Sequence, residues 1–328
     1  MSFASASLST TLAAEPRGLQ GGWQSREEAI MGTSIKVELW SDDRTAGEAA
    51  IDAVMAEMHR IDAAMSPFKP QSELSRINRE AAGGPVRIGE EMFALIERSL
   101  VFSRLSDGAF DISYAGVGHL YDYRERIKPT DAAIDEARAA VGYRKLILDR
   151  RMLSIRFARP GMRIDLGGFA KGHAVDRGAA ILKRRGITNA IVTAGGDSRI
   201  LGDRRGRPWT IGIRDPRTPD GVIAVLPLED CALSTSGDYE RYFDDETGVR
   251  CHHVIDPGTG KSPANDIRSV TVIAGDGLTS EALTKTMFVL GLEKGMRLVE
   301  AQPDADAVVV DSSGRLHYSA GLTGGDSG

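Results

Sequence analysis

Apolar side chains recur at every second position in the run Ile35-Lys36-Val37-Glu38-Leu39-Trp40, a period that predicts a half-buried strand. From about Ala46 the period lengthens. Ala50, Val54, Met58, Ile61 and Met65 fall at helical spacing, and Pro67 and Pro70 end the helix. His59 lies on it, read as a surface or internally satisfied histidine. Further helices are predicted over 90–105, stopped by Ser106-Asp107-Gly108, and over 131–140, capped by Thr130 and closed by Gly142. A hairpin is expected over 145–148 and 153–157, turning through Asp149-Arg150-Arg151. Another helix covers 174–183 and ends at Gly186. Strand-forming runs follow at 190–194, 209–213, 222–226, 270–274 and 307–310, with helices at about 279–290 and 292–301 between the last two. Strands and helices mix without a regular strand–helix–strand rhythm, so the fold class expected is α+β rather than doubly wound. One domain over 29–320 is expected, after a disordered or processed leader, 1–28, and before a mobile tail, 321–328.

Composition narrows the function classes. With 41% hydrophobic and 27% charged residues, the 328-residue chain reads as an ordinary folded protein, not a disordered or fibrous one. The formal net charge of -5 argues against nucleic acid as a partner, because phosphate backbones demand clustered Lys and Arg. Cys231 and Cys251 have neither C-x-x-C nor metal-ligand spacing, which leaves one bridge or, better, two free thiols. No apolar stretch approaches the roughly 18 residues of a membrane span. The first residues carry neither a basic n-region nor a lipobox cysteine, so the sequence on its face predicts a cytoplasmic location. The 37 glycines exceed the usual share of about 7% and show no period, which directs attention to turns and close backbone approaches.

Four Gly- or Pro-punctuated segments concentrate the candidate chemistry. In Ile164-Asp165-Leu166-Gly167-Gly168-Phe169-Ala170-Lys171-Gly172, paired glycines let a backbone approach an anion and Lys171 adds charge where a helix begins. A plain strand-to-helix turn with an exposed lysine explains it too. Thr193-Ala194-Gly195-Gly196-Asp197 leaves room for a ring, or is an ordinary strand-end turn. In Ser234-Thr235-Ser236-Gly237-Asp238, ahead of Tyr239, hydroxyls and an acid suit ribose and phosphate contacts, although Ser236 or Asp238 equally suits a helix N-cap. In His252-His253-Val254-Ile255-Asp256-Pro257-Gly258-Thr259-Gly260, a histidine near a tight turn can move a proton at neutral pH. Adjacent strand residues face opposite ways, so the two histidines do not share a metal ion; one points inward and the other outward.

Taken in order, these segments resemble the ApbE family of FAD:protein FMN transferases. The resemblance runs from Met31-Gly32-Thr33 through Met65-Ser66-Pro67-Phe68, Ser72-Glu73-Leu74-Ser75-Arg76-Ile77-Asn78 and Gly108-Ala109-Phe110-Asp111. It continues through Asp165-Leu166-Gly167-Gly168-Phe169-Ala170-Lys171-Gly172, Gly195-Gly196-Asp197, Thr235-Ser236-Gly237-Asp238-Tyr239 and His253-Val254-Ile255-Asp256-Pro257-Gly258-Thr259-Gly260. Each block is weak alone; the ordered set is specific. It implies an ApbE-like, T-fold-related architecture of mixed sheets flanked by helices around an FAD cleft. It also implies FAD as substrate, release of AMP, and a phosphoester between FMN and a Thr or Ser of an acceptor flavoprotein. By the same resemblance His253 and Lys171 are catalytic. Met31, Asp111, Lys171, His173, Gly195, Gly196, Ser236, Gly237, Asp238 and Asp256 contact FAD. The family is mostly exported, often as lipoproteins, in contrast to the location read from this chain's first residues.

The family's usual divalent-cation site is altered. Its late helix carries Asp-Ala-Leu-Ser/Ala-Thr, whose Asp and Thr bind magnesium with a backbone carbonyl that corresponds here to Ala170. This chain reads Glu281-Ala282-Leu283-Thr284-Lys285. Glutamate still suits a hard cation from one methylene further away, and a protonated lysine does not bind one. Glu281 and Lys285 also have the i,i+4 spacing of a helix salt bridge. Three arrangements satisfy these residues: an ammonium in the place of metal charge, magnesium held through Glu281, Thr284 and backbone oxygens, or a purely structural pair. Correspondingly, three activities are compatible with the sequence: FMN transfer to protein, hydrolysis of FAD to FMN and AMP, and flavin binding without turnover.

Overall fold

The computed structural model describes residues 21–323 except positions 219, 220, 241, 247 and 249. The segments 1–20 and 324–328 of the expected leader and tail therefore lie outside the described residues. The chain opens with strand β1 (Gly22–Ile30), antiparallel to β2 (Thr33–Ser41), so the ordered sheet starts ahead of the boundary expected at residue 29. Strand β1 escaped the pattern reading because it is a polar, half-exposed edge strand, where solvent-facing charge is favoured. Met31 and Gly32 form the two-residue turn between them. Both have positive φ, 58° and 69°, as the twist of a tight hairpin requires.

Helix α1 (Arg44–Met65) follows behind an Asp43 cap and buries the expected stripe of Ala50, Val54, Met58, Ile61 and Met65. After α2 (Glu73–Glu80), a small sheet forms from β3 (Val86–Arg87), β4 (Leu146–Asp149) and β5 (Ser154–Phe157). Helix α3 (Glu90–Leu105) has the bounds the periodicity predicts, and α4 (Ala115–Gly118) and α5 (Asp131–Arg138) lie between it and β4. Helix α6 (Ala170–Arg184) starts one turn before the expected 174, directly after Gly167-Gly168.

Strands then accumulate: β6 (Ala190–Ala194), β7 (Asp197–Leu201), β8 (Trp209–Arg214), β9 (Val222–Leu228), β10 (Ala232–Gly237), β11 (Tyr242–Asp244), β12 (Arg250–His252) and β13 (Ile267–Ala274). Helices α7 (Gly277–Leu290) and α8 (Leu292–Glu300), strands β14 (Asp306–Asp311) and β15 (Leu316–Tyr318), and α9 (Ala320–Thr323) complete the described chain. Eight strands form one wholly antiparallel sheet in the order β1-β2-β6-β7-β10-β13-β14-β15. The α+β class follows, because antiparallel neighbours need no helical crossover between each pair.

One face of the sheet is covered by α1, α6 and α7 in sequence, and Ile35, Val37, Leu39, Val192, Val270, Val272 and Val309 are fully buried there. The β8–β9 hairpin covers part of the other face, where Ile213 and Leu226 meet Val308 and Val310. Covering on both faces explains the unbroken apolar run Ala307–Val310 in β14. No helix among the described residues is long and apolar enough to cross a membrane. Neither Cys231 nor Cys251 is in a disulfide.

Candidate active site

Helices α6 and α7 touch backbone to backbone. A Cβ at Gly172 would stand 2.2 Å from the carbonyl oxygen of Gly277, and one at Gly277 would stand 2.5 Å from that of Gly172. This contact sets the first turn of α6 beside Glu281, one turn into α7. Glu281 is fully buried; its Oε2 accepts from the Gly172 N–H at 2.8 Å and its Oε1 accepts from Lys171 Nζ. Lys171 also reaches Oδ2 of Asp197, the first residue of β7, at 2.7 Å. The other Asp197 oxygen accepts from Ser234 Oγ at 2.5 Å.

The Ser-rich segment is strand β10, not the helix start that Ser236 or Asp238 also suited. Alternation along a strand sends Ser234 and Ser236 to one face and Thr235 to the other, where Thr235 meets Thr271 at 2.9 Å. On the helix side Ser234 Oγ lies 3.3 Å from Thr284 Oγ1, and Ser236 Oγ accepts from Lys285 Nζ at 2.6 Å. Thr284 turns its own hydroxyl to the Glu281 carbonyl at 2.8 Å. The stem of Lys285 runs under the glycine turn, where a Cβ on Gly168 would stand 3.4 Å from its Cγ. Two carboxylates, two ammonium groups and three hydroxyls thus share one partly buried volume.

The i,i+4 pair of Glu281 and Lys285 does not close; Glu281 turns instead to Lys171, 110 residues away in the chain. Burial works against the Lys171 charge, but the Asp197 and Glu281 carboxylates outweigh it and hold the group above the usual lysine range. Burial pushes Lys285 below that range, and the neighbouring Lys171 charge adds to the effect.

The remaining expected site residues divide by what they hold. Gly195 and Gly196 form the β6–β7 turn; a Cβ on Gly195 (φ 62°) would stand 2.5 Å from Thr33 Oγ1, and one on Gly196 would stand 2.4 Å from the Thr235 carbonyl oxygen. These glycines bring the Met31-Gly32-Thr33 turn, the β6–β7 turn and β10 together. Met31 lines a surface hollow there with His59, Asp62 and Lys69. Gly237 lies under the ring of Tyr239. Asp238 is buried, with Oδ2 accepting from Arg268 and, at 3.3 Å, from Arg250.

Asp256 spends Oδ1 on the Gly258 N–H at 2.8 Å and Oδ2 on the Thr259 hydroxyl at 3.0 Å, which closes the Asp-Pro-Gly-Thr-Gly turn. Asp111 is likewise engaged, accepting from the Ser113 N–H at 2.8 Å and the Tyr143 N–H at 2.6 Å; burial raises its pKa. His173 pairs with Glu91 at 2.9 Å, on a face of α6 where Arg60 also binds Glu91. Of the two adjacent histidines, His252 is the inward one: its ring meets Phe288 of α7 edge-on at 5.6 Å, and burial pushes its pKa down to about 4. His253 follows it, half-buried. Asp197 and Ser234 lie inside segments that the sequence singles out, but the resemblance did not name either among the FAD contacts.

The ApbE family model matches residues 31–309. The chain belongs to the ApbE family. It is 32% identical to an FAD:protein FMN transferase of Treponema pallidum, over 91% of this chain and 87% of that one. It is also 32% identical to an FAD:protein FMN transferase of Klebsiella pneumoniae, over 86% and 87%. Among solved ApbE structures, a Thermotoga maritima ApbE protein superposes with a TM-score of 0.85 at 34% identity, covering 94% of this chain and all of that one. The flavin transferase ApbE of Vibrio cholerae superposes with 0.82 at 27% identity, covering 93% and 99%. The α+β architecture is thus the ApbE fold.

The magnesium site implied by the family does not fit the residues present. Both Glu281 oxygens and both Asp197 oxygens are already engaged by Lys171, Gly172 and Ser234. The position of the family's threonine ligand holds the Lys285 ammonium. Ala170, whose carbonyl was expected to join the set, is the first residue of α6. The described residues include no group of three or more His, Cys, Asp or Glu side chains able to hold a metal ion. A dication placed beside two ammonium groups would meet repulsion of roughly 4 kcal/mol for each pair of unit charges about 4 Å apart at a surface-like dielectric.

Proposed function

We infer that this protein is an FAD:protein FMN transferase. It cleaves the pyrophosphate of FAD, releases AMP and leaves FMN as a phosphoester on a Thr or Ser of an acceptor flavoprotein. The observation that carries the reading is the convergence of the ordered family blocks on one volume: the Gly167-Gly168 turn, Lys171, Asp197, Ser234, Ser236 and the α7 residues meet there, although they lie far apart in the chain. Relatives with the same activity in their names, at 32% identity over most of both chains, support it.

In this reading Met31, Gly195, Gly196, Ser236 and Gly237 shape the surface that receives FAD, and Lys171 faces its phosphates. Asp111 and Asp256 act by holding the loops that border the cleft, since their oxygens bind backbone and turn groups. Asp238 fixes Arg250 and Arg268, and His173 anchors the outer face of α6. His253, on the loop after β12, takes the proton from the acceptor hydroxyl, and the phosphates are stabilised by preorganised positive charge.

Co-expression with a cognate acceptor flavoprotein tests the assignment: the acceptor should gain the mass of one FMN residue at a Thr or Ser. Changing His253→Ala should cut transfer by about 10²–10⁴-fold, the usual contribution of a general base, while FAD binding stays within about threefold of the wild type. An FAD-saturated protein that modifies none of several cognate acceptors would sink the transferase reading. AMP formed without acceptor would then identify a hydrolase.

A further inference from the structure

We propose that this chain binds the FAD pyrophosphate without a divalent cation, the Lys285 ammonium standing where its relatives place metal charge. The inference rests on FAD being the substrate. Its ground is the hydrogen-bond pattern around α7. The negative charge of the cluster is directed at Lys171: Glu281 and Asp197 both contact its ammonium, and their remaining oxygens accept from Gly172 and Ser234. Neither Glu281 nor Asp197 keeps an oxygen without a partner. Lys285, in contrast, donates to a neutral hydroxyl, Ser236 Oγ at 2.6 Å, and no carboxylate among the described residues forms an ion pair with it.

Its position suits an anion. The side chain is half-buried between the Gly167-Gly168 turn and the end of β10, and Gly168 lets the backbone lie against its stem. A phosphate oxygen can displace or share the Ser236 hydroxyl as the acceptor of the ammonium. An arriving polyanion favours the charged form of the lysine, so binding and protonation reinforce one another. Lysine presents a compact point charge on a flexible stem, which lets it follow the phosphates without a fixed coordination geometry.

The test uses the full-length protein and FAD titrations followed by flavin fluorescence, once in EDTA and once in magnesium chloride. The dissociation constants should agree within about twofold, and Mn2+ added to the FAD complex should give no stoichiometric bound signal by electron paramagnetic resonance. Lys285→Thr should weaken FAD binding in EDTA by about tenfold or more, whereas Lys285→Arg, which keeps the charge, should stay within about threefold.

If FAD binds only with magnesium, or Mn2+ binds stoichiometrically, the cation-free site is overturned and the transferase reading stands. Unchanged affinity in folded Lys285→Thr overturns the role of Lys285. If Lys285→Thr does not fold, the wild-type EDTA and Mn2+ measurements still decide. Absence of FAD binding in either medium removes the FAD reading itself.

Discussion

Lys171 is the residue on which the charge balance of the site turns, because it is the shared partner of two buried carboxylates. Removing one member of a buried ion pair leaves an uncompensated charge at a cost of about 3–5 kcal/mol. Lys171→Met should therefore lower the unfolding free energy in urea by about 3 kcal/mol or more, and adding Glu281→Gln should recover part of that loss. His252 is a second residue with a readable energy. Its folded pKa of about 4 lies below the unfolded value of about 6.5, so between these values the unfolded chain binds a proton that the folded chain excludes. Stability from this group is complete above pH 6.5 and falls as the pH drops toward 4, by roughly 3 kcal/mol. Urea titrations at pH 7 and pH 4.5 should show His252→Gln losing less stability on acidification than the wild type.

At the scale of elements, the crossing of α6 and α7 positions the chemistry, and Gly172 and Gly277 permit it. Gly172→Ala gains helix propensity of about 1 kcal/mol but drives a methyl group into the Gly277 carbonyl, so a net loss of about 2 kcal/mol or more is expected in a thermal or urea melt. Gly84→Ala, with open space around its Cα, should stay within about 0.5 kcal/mol of the wild type. Elements with strong periodicity, such as α1 and α3, were legible in the sequence because one burying face repeats along them. Strand β1 was not, because its edge position leaves polar side chains in solvent. Strand β10 was not, because its buried Ser234 and Ser236 are hydroxyls satisfied by α7 and β7, a pattern that locally resembles a helix cap.

For the molecule as a whole, the antiparallel sheet with α1, α6 and α7 on one face forms a frame on which several loops converge. If FAD seats on that frame, ligand at about a hundredfold its dissociation constant should add about 2.7 kcal/mol of stability, seen as a rise of a few degrees in melting temperature. EDTA should leave that rise unchanged if Lys285 carries the charge. Chain order alone was enough to mark the family blocks and the α+β class, because glycine turns, caps and apolar periods are local properties. Which charges meet was decided only in three dimensions. On an isolated helix Glu281 would choose Lys285, four residues on. In the folded protein the glycine crossing brings Lys171 and the Gly172 N–H to Glu281, and burial demands that both its oxygens be satisfied there. Lys285 is thereby left to a serine, and its charge to whatever anion the cleft receives.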